Sequence, residues 1–198
     1  MNKIPTWLYK PANVPSTLLP IFKKEFIKVF DKFVKNLDEQ PNQFVSEQDI
    51  SIIPLEYPYL YKYLKLLGLN ESIVRIGLIV TNSPDLTFAV HTDWPATGYA
   101  LNIPVLNCEN TYTAWYEAQK TDVKGNIYST DSWKGVAESY MYDNTTAIEI
   151  DRTDANIPQW INIHVPHSPI CNYNKLRING TIRFNEAVYD YLNSKYPC

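Results

Sequence analysis

The chain has 198 residues, 45% of them hydrophobic and 14% aromatic, and a formal net charge of −3. That is enough apolar material for one full core, while the absence of a basic excess removes the electrostatic signature of a nucleic-acid binder. Six glycines, with neither G-x-G-x-x-G nor G-x-x-x-x-G-K-[ST] among them, argue against a glycine-rich nucleotide loop.

The N-terminus, MNKIPTWLYKPAN, lacks the apolar stretch of a secretory signal, and no apolar run approaches the ~18 residues that suggest a membrane span. Residues 1–15 are punctuated by prolines and read as extended chain. An amphipathic helix is expected from about Ser16 to Leu37: Phe22, Phe26, Val29, Phe30 and Phe33 share one face and Lys23, Lys24, Lys28 and Lys32 the other, with Pro20 tolerable only in the first turn. Asn42 to Pro54 reads as loop with a short strand. PLEYPYLYKYLKLL, Pro54 to Leu67, predicts a second helix, ended by Gly68.

From Glu71 the hydrophobic period changes from 3.6 to 2. SIVRIGLIVT, LTFAVHTD, YALNIPVL, TYTAWYEA, TTAIEID, WINIHV and LRINGTIRF read as successive strands, with a turn at Asn82-Ser83-Pro84 and a closing helix from Asn185 to Tyr196. Short strands at near-regular spacing suggest a double-sheet barrel or jelly roll. One connection is long and polar, Gln119 to Asn144 with Trp133 near its middle, and its length makes it a candidate lid at the pocket mouth. The expected architecture is a single domain, mainly β with flanking α-helices: a helical N-terminal decoration over 1–70, a barrel core over 71–184 and a C-terminal helix over 185–198. Cys108, Cys171 and Cys198 are odd in number and widely spaced, which fits free thiols in a reducing compartment. A cytoplasmic protein is therefore expected. Nothing in the sequence indicates an oligomeric state.

The chemistry gathers around FAVHTD. On a strand His91 and Asp93 point to one face and Thr92 to the other, which sets an imidazole and a carboxylate side by side as two neighbouring ligands of one metal. The other two of the three histidines, His164 and His167, lie in INIHVPHSP, and Arg177 follows ten residues after His167. Two histidines and one carboxylate form the facial donor set of non-heme iron sites with open positions, and a planar guanidinium suits an acidic co-substrate. H-x-D by itself is a weak signal, and either later histidine can complete the set on these grounds. Asn102, Tyr99, Tyr112, Trp115 and Arg75 are further polar or aromatic residues near these strands.

FAVHTD, YALNIPVLN, VPHSPICN and LRINGTIRF together resemble the iron(II)- and 2-oxoglutarate-dependent oxygenases, prolyl-hydroxylase-like members in particular, over roughly Ser72 to Phe184. The resemblance implies a double-stranded β-helix of cupin-like barrel form. It implies His91, Asp93 and His167 as the catalytic metal ligands, with His164 as the competitor for the third place. Arg177 then anchors the distal carboxylate of 2-oxoglutarate, with Arg183 on the same strand face as its rival, and Asn102 is a candidate contact to the co-substrate. Where prolyl hydroxylases place a tyrosine on the co-substrate, this chain has Val105 or Leu106. The implied reaction uses Fe(II), 2-oxoglutarate and O2 to hydroxylate a small-molecule or peptidyl substrate while 2-oxoglutarate is decarboxylated to succinate. Two rivals differ from it by testable features: a non-catalytic barrel used as a binding module, and a cupin-type metalloenzyme without 2-oxoglutarate, for which Arg177 has no evident use.

Overall fold

A computed structural model describes residues 5–34, 43–81, 90–93, 98–127, 137–171 and 175–197. In chain order the strands are β1 (Tyr9–Pro11), β2 (Gln43–Gln48), β3 (Ile73–Thr81), β4 (His91–Thr92), β5 (Tyr99–Leu106), β6 (Thr111–Glu117), β7 (Lys120–Ile127), β8 (Ala137–Tyr142), β9 (Ile148–Asp154), β10 (Gln159–Asn162), β11 (His167–Cys171) and β12 (Arg177–Phe184). The helices are α1 (Leu19–Phe33), α2 (Ile53–Glu56), α3 (Pro58–Leu66) and α4 (Val188–Lys195).

The strands form two six-stranded antiparallel sheets, ordered β1-β10-β5-β12-β3-β2 and β7-β8-β4-β11-β6-β9. From β3 to β6, and again from β9 to β12, each strand lies in the opposite sheet from the one before it. That winding makes a double-stranded β-helix, in which each sheet has one face toward the other and one face outward.

The outward face of the first sheet is the main core. Ile76, Leu78 and Val80 of β3, Leu101, Ile103 and Val105 of β5 and Ile178, Ile182 and Phe184 of β12 pack with Phe22, Phe26 and Val29 of α1, Leu60 and Leu64 of α3 and Val188 and Leu192 of α4. Alternation along each strand sends these residues to the helices and their neighbours inward. Gly180, in the middle of β12, sits directly under Phe26: a Cβ there would lie 2.5 Å from the ring.

The local elements differ from the sequence expectation in instructive ways. α1 carries Pro20 in its first turn, as expected, but ends at Phe33, where Val34 turns extended; residues 35–37 lie outside the described residues. The second helix is two. Tyr57 precedes Pro58 and adopts φ −127°, ψ 52°, because the proline ring disfavours the helical region for the residue before it. The new N-terminus of α3 has no side-chain cap from its own chain segment. Glu25 of α1 supplies one, accepting from the N–H groups of Tyr59 (2.8 Å) and Leu60 (3.1 Å). Gly68 ends α3 at φ +73°, a left-handed conformation glycine adopts without strain. Within Gln119 to Asn144 the described residues include two strands of the second sheet: β7 and β8 pair with each other, and β8 pairs with β4, while residues 128–136 lie outside the described residues. Trp133 lies outside the described residues. WINIHV is strand only as far as Asn162, so His164 lies beyond β10.

Candidate metal centre

Three neighbouring strands of the second sheet build the site. β11 runs between β4 and β6, and the register places His167 directly opposite both His91 and Trp115. Residues directly opposite in an antiparallel pair share a face, so the two imidazoles meet, with ring centroids 4.7 Å apart. Asp93 follows β4 by one residue, and its N–H donates to the Ile163 carbonyl (3.1 Å). One ligand atom each from His91, Asp93 and His167 lies within 4.8 Å of the other two, and all three residues are buried.

These atoms line a cavity between the sheets whose walls include Ile79, Ala100, Asn102, Thr181 and Arg183 from the first sheet and Thr113 and Pro169 from the second. His164 takes no part. Its Nε2 meets the Tyr189 hydroxyl of α4 at 3.2 Å.

No protein-family model matches the chain, and no curated protein sequence does. Among solved structures it is similar to the non-heme alpha-ketoglutarate-dependent carbocyclase SnoK from nogalamycin biosynthesis, at a TM-score of 0.51 and 13% identity over 89% of this chain and 78% of that one. It is also similar to a prolyl hydroxylase from Trichoplax adhaerens in complex with a hypoxia inducible factor peptide fragment, at a TM-score of 0.52 and 10% identity over 94% of this chain and 87% of that one. The chain has the double-stranded β-helix fold of the iron- and 2-oxoglutarate-dependent oxygenases.

Within that β-helix the electrostatics suit a divalent cation. Burial pushes the Asp93 carboxyl up, but the positive charge of Arg183, with His167, His91 and Arg75 adding to it, outweighs burial and holds the group below the usual carboxylate range. The Arg183 guanidinium is the direct partner, with Nη2 3.1 Å from Asp93 Oδ2. Burial, reinforced by the neighbouring His91, pushes His167 down to about 4. At neutral pH His167 is thus uncharged. Its Nδ1 lies 3.0 Å from the Val165 carbonyl. A proton on Nδ1 satisfies that contact and leaves the Nε2 lone pair for a metal.

Several buried polar atoms inside the barrel have no hydrogen-bond partner among the described residues: Asp93 Oδ1, Asn102 Oδ1, Asn179 Oδ1 and Arg177 Nη1. Buried polar atoms are rarely left so in a folded protein, and a site for a metal with a polar ligand accounts for them together. The donor set and these orphaned atoms fit Fe(II) and 2-oxoglutarate.

The first sheet supplies Arg177, which is 2% exposed and donates through Nε to the Thr111 hydroxyl (3.2 Å). It lies on β12, in the sheet opposite the one that holds His167. Arg177, Asn179, Thr181 and Arg183 alternate along β12 and share its inward face. Arg177 stands opposite Thr81 at one end of that strand, and Arg183 stands opposite Arg75 near the other. Of Arg177 and Arg183, Arg183 is the one in contact with the His91–Asp93–His167 cluster.

The remaining candidates divide cleanly. The Tyr99 hydroxyl shares its one proton between the carbonyls of Pro5 (2.9 Å) and Trp7 (3.0 Å), away from the cavity. Trp115 donates to the Asn162 carbonyl and stacks on Tyr9. Tyr112 carries Arg152 over its ring. Val105 packs toward the helices and Leu106 is exposed, so neither stands in for a co-substrate tyrosine. The contact between Arg183 and Asp93 and the orphaned Asn179 are the features that sequence reasoning missed. Their signal lies in the polar alternation of RINGTIRF.

Proposed function

We propose that the protein is an iron(II)- and 2-oxoglutarate-dependent oxygenase that hydroxylates a small-molecule or peptidyl substrate. His91, Asp93 and His167 hold the iron, through one ring nitrogen of each histidine and Oδ1 of Asp93. Arg177 receives the distal carboxylate of 2-oxoglutarate, and Asn102 offers a further polar contact on the cavity wall. Bound there, iron with 2-oxoglutarate and O2 supplies the oxidation of a substrate C–H bond, coupled to decarboxylation of 2-oxoglutarate to succinate.

The chain's own residues do the rest. With its proton on Nδ1, the His167 ring donates to the Val165 carbonyl, which fixes the ring's orientation. Ile79, Ile161, Ile163 and Pro169 give the cavity apolar walls that limit water. Thr111 orients the Arg177 guanidinium through its Nε–H and leaves the Nη1 face for an anion.

The observation that carries the reading is the pairing of two buried, incomplete groups in one barrel. One is a His-Asp-His cluster with an orphaned carboxylate oxygen, and the other a guanidinium with an orphaned nitrogen. Buried polar atoms without partners are costly, and an acidic co-substrate beside a divalent metal gives both groups a partner. The two solved neighbours are named for different reactions, one as a carbocyclase and the other as a prolyl hydroxylase.

The test is to titrate Fe(II) and 2-oxoglutarate separately into metal-free protein and to follow succinate release. Tight metal binding, with 2-oxoglutarate binding that depends on the metal and on Arg177, is expected. Metal binding without any response to 2-oxoglutarate would favour a cupin-type metalloenzyme, and no metal binding would favour a non-catalytic barrel.

A further inference from the structure

The pairing of Arg183 with Asp93 has a role distinct from that of Arg177. Asp93 lies past the end of β4, which has only two residues, so its carboxylate is not aligned by the strand ladder. Arg183 comes from the opposite sheet, on a strand paired on both sides, with Arg75 on β3 and Ala100 on β5 as its neighbours. Its Nη2 lies 3.1 Å from Oδ2 of Asp93, with both side chains about 95% removed from solvent (5% and 4% exposed). The other oxygen, Oδ1, has no hydrogen-bond partner among the described residues and lies 3.5 Å from His91 Nε2. The two oxygens of one carboxylate are therefore distinguished before any metal arrives.

We propose that Arg183 is a positioning residue that keeps Asp93 a one-oxygen ligand, holding Oδ2 so that Oδ1 alone turns to the metal. This rests on the reading of His91, Asp93 and His167 as a metal site. A free carboxylate chelates readily with both oxygens. On an octahedral ion, two histidines and a one-oxygen aspartate leave about three open positions, whereas a chelating aspartate leaves about two. A 2-oxo acid that chelates takes two, so the third position, needed for dioxygen, exists only while Oδ2 is kept away. Arg183 thus protects reactivity rather than metal affinity, and a planar fork from a rigid strand is suited to do so.

Mn(II)-loaded protein without 2-oxoglutarate reads this directly, because water-proton relaxation reports how many waters occupy the ion's open positions. For Arg183→Met the expected relaxation enhancement per bound Mn(II) falls by about one-third, from three waters to two, with Arg183→Lys returning part of it. An Arg183→Met protein that binds Mn(II) with wild-type relaxation overturns the proposal. Should that variant not fold, the wild type decides. With Mn(II) bound, a crystal structure should show one Asp93 oxygen on the ion and the other on Arg183, and both oxygens on the ion contradicts the proposal. Wild-type protein that binds no Mn(II) removes the metal-site reading itself, a result distinct from either of these.

Discussion

The two faces of β12 make opposite use of one strand. Outward, Ile178, Ile182 and Phe184 are fully buried against helices, with Gly180 making room for Phe26. Inward, Arg177, Asn179, Thr181 and Arg183 are buried just as deeply, yet Arg177 and Asn179 keep atoms without partners. Equal burial with unequal satisfaction separates the part of the strand that stabilises the fold from the part that awaits a ligand. Changes on the outward face should lower stability and spare the site; changes on the inward face should abolish chemistry and cost the fold little.

The largest expected effect is on the inward side. His167→Ala should lower 2-oxoglutarate turnover by more than about 100-fold, since it removes a metal ligand, while the thermal midpoint of the metal-free protein stays near wild type. Turnover assays and a melting curve on the same preparation check both halves. On the outward side, Phe26→Ala should cost about 3–5 kcal/mol in urea unfolding and leave Co(II) affinity of the folded fraction unchanged. A large loss of metal affinity there would merge the two faces into one.

Acid should sharpen the comparison. His167 sits at about 4 in the folded protein, below its ordinary 6.5. Between those values the unfolded chain binds the proton that the native state refuses, so stability is fully present above about pH 6.5 and falls as pH drops toward 4. The loss from this one group is on the order of 3 kcal/mol. Urea midpoints of metal-free wild type should show that slope, and His167→Gln should flatten it.

The smallest effect is Gly180→Ala. The added methyl meets the Phe26 ring and should cost about 1–3 kcal/mol by overpacking, with metal binding unaltered.

How much of this was legible beforehand differs by level. The change of period after Glu71 shows the strands and hence the barrel, because alternation is a local property of each segment. His91 and Asp93 were placed by the same rule. The completion of the triad was not readable from spacing. His167 rather than His164 meets His91 because β11 begins at His167 and pairs with β4 in that register, and register is a tertiary fact. The break of the second helix at Pro58 was written in the sequence as X-Pro and overridden in the expectation by helical periodicity. β7 and β8, between β6 and β9, were hidden because their sequences are polar and carry no apolar alternation; β8 pairs with β4. Arg177 and Arg183 share a face by period 2, but which end of the barrel each occupies follows only from how β12 crosses β3 and β5.

The central claim is that a metal cluster and an anion anchor in one barrel form a 2-oxoglutarate site. The most direct measurement is iron-dependent conversion of 2-oxoglutarate to succinate, compared between wild type, Arg177→Leu and Arg177→Lys at matched iron occupancy. The account predicts an Arg177→Leu protein that binds Fe(II) like wild type but needs at least about 10-fold more 2-oxoglutarate, having lost a charge-assisted pair, with Arg177→Lys between the two. Wild-type dependence on 2-oxoglutarate in Arg177→Leu, or no succinate from the wild type, would contradict it.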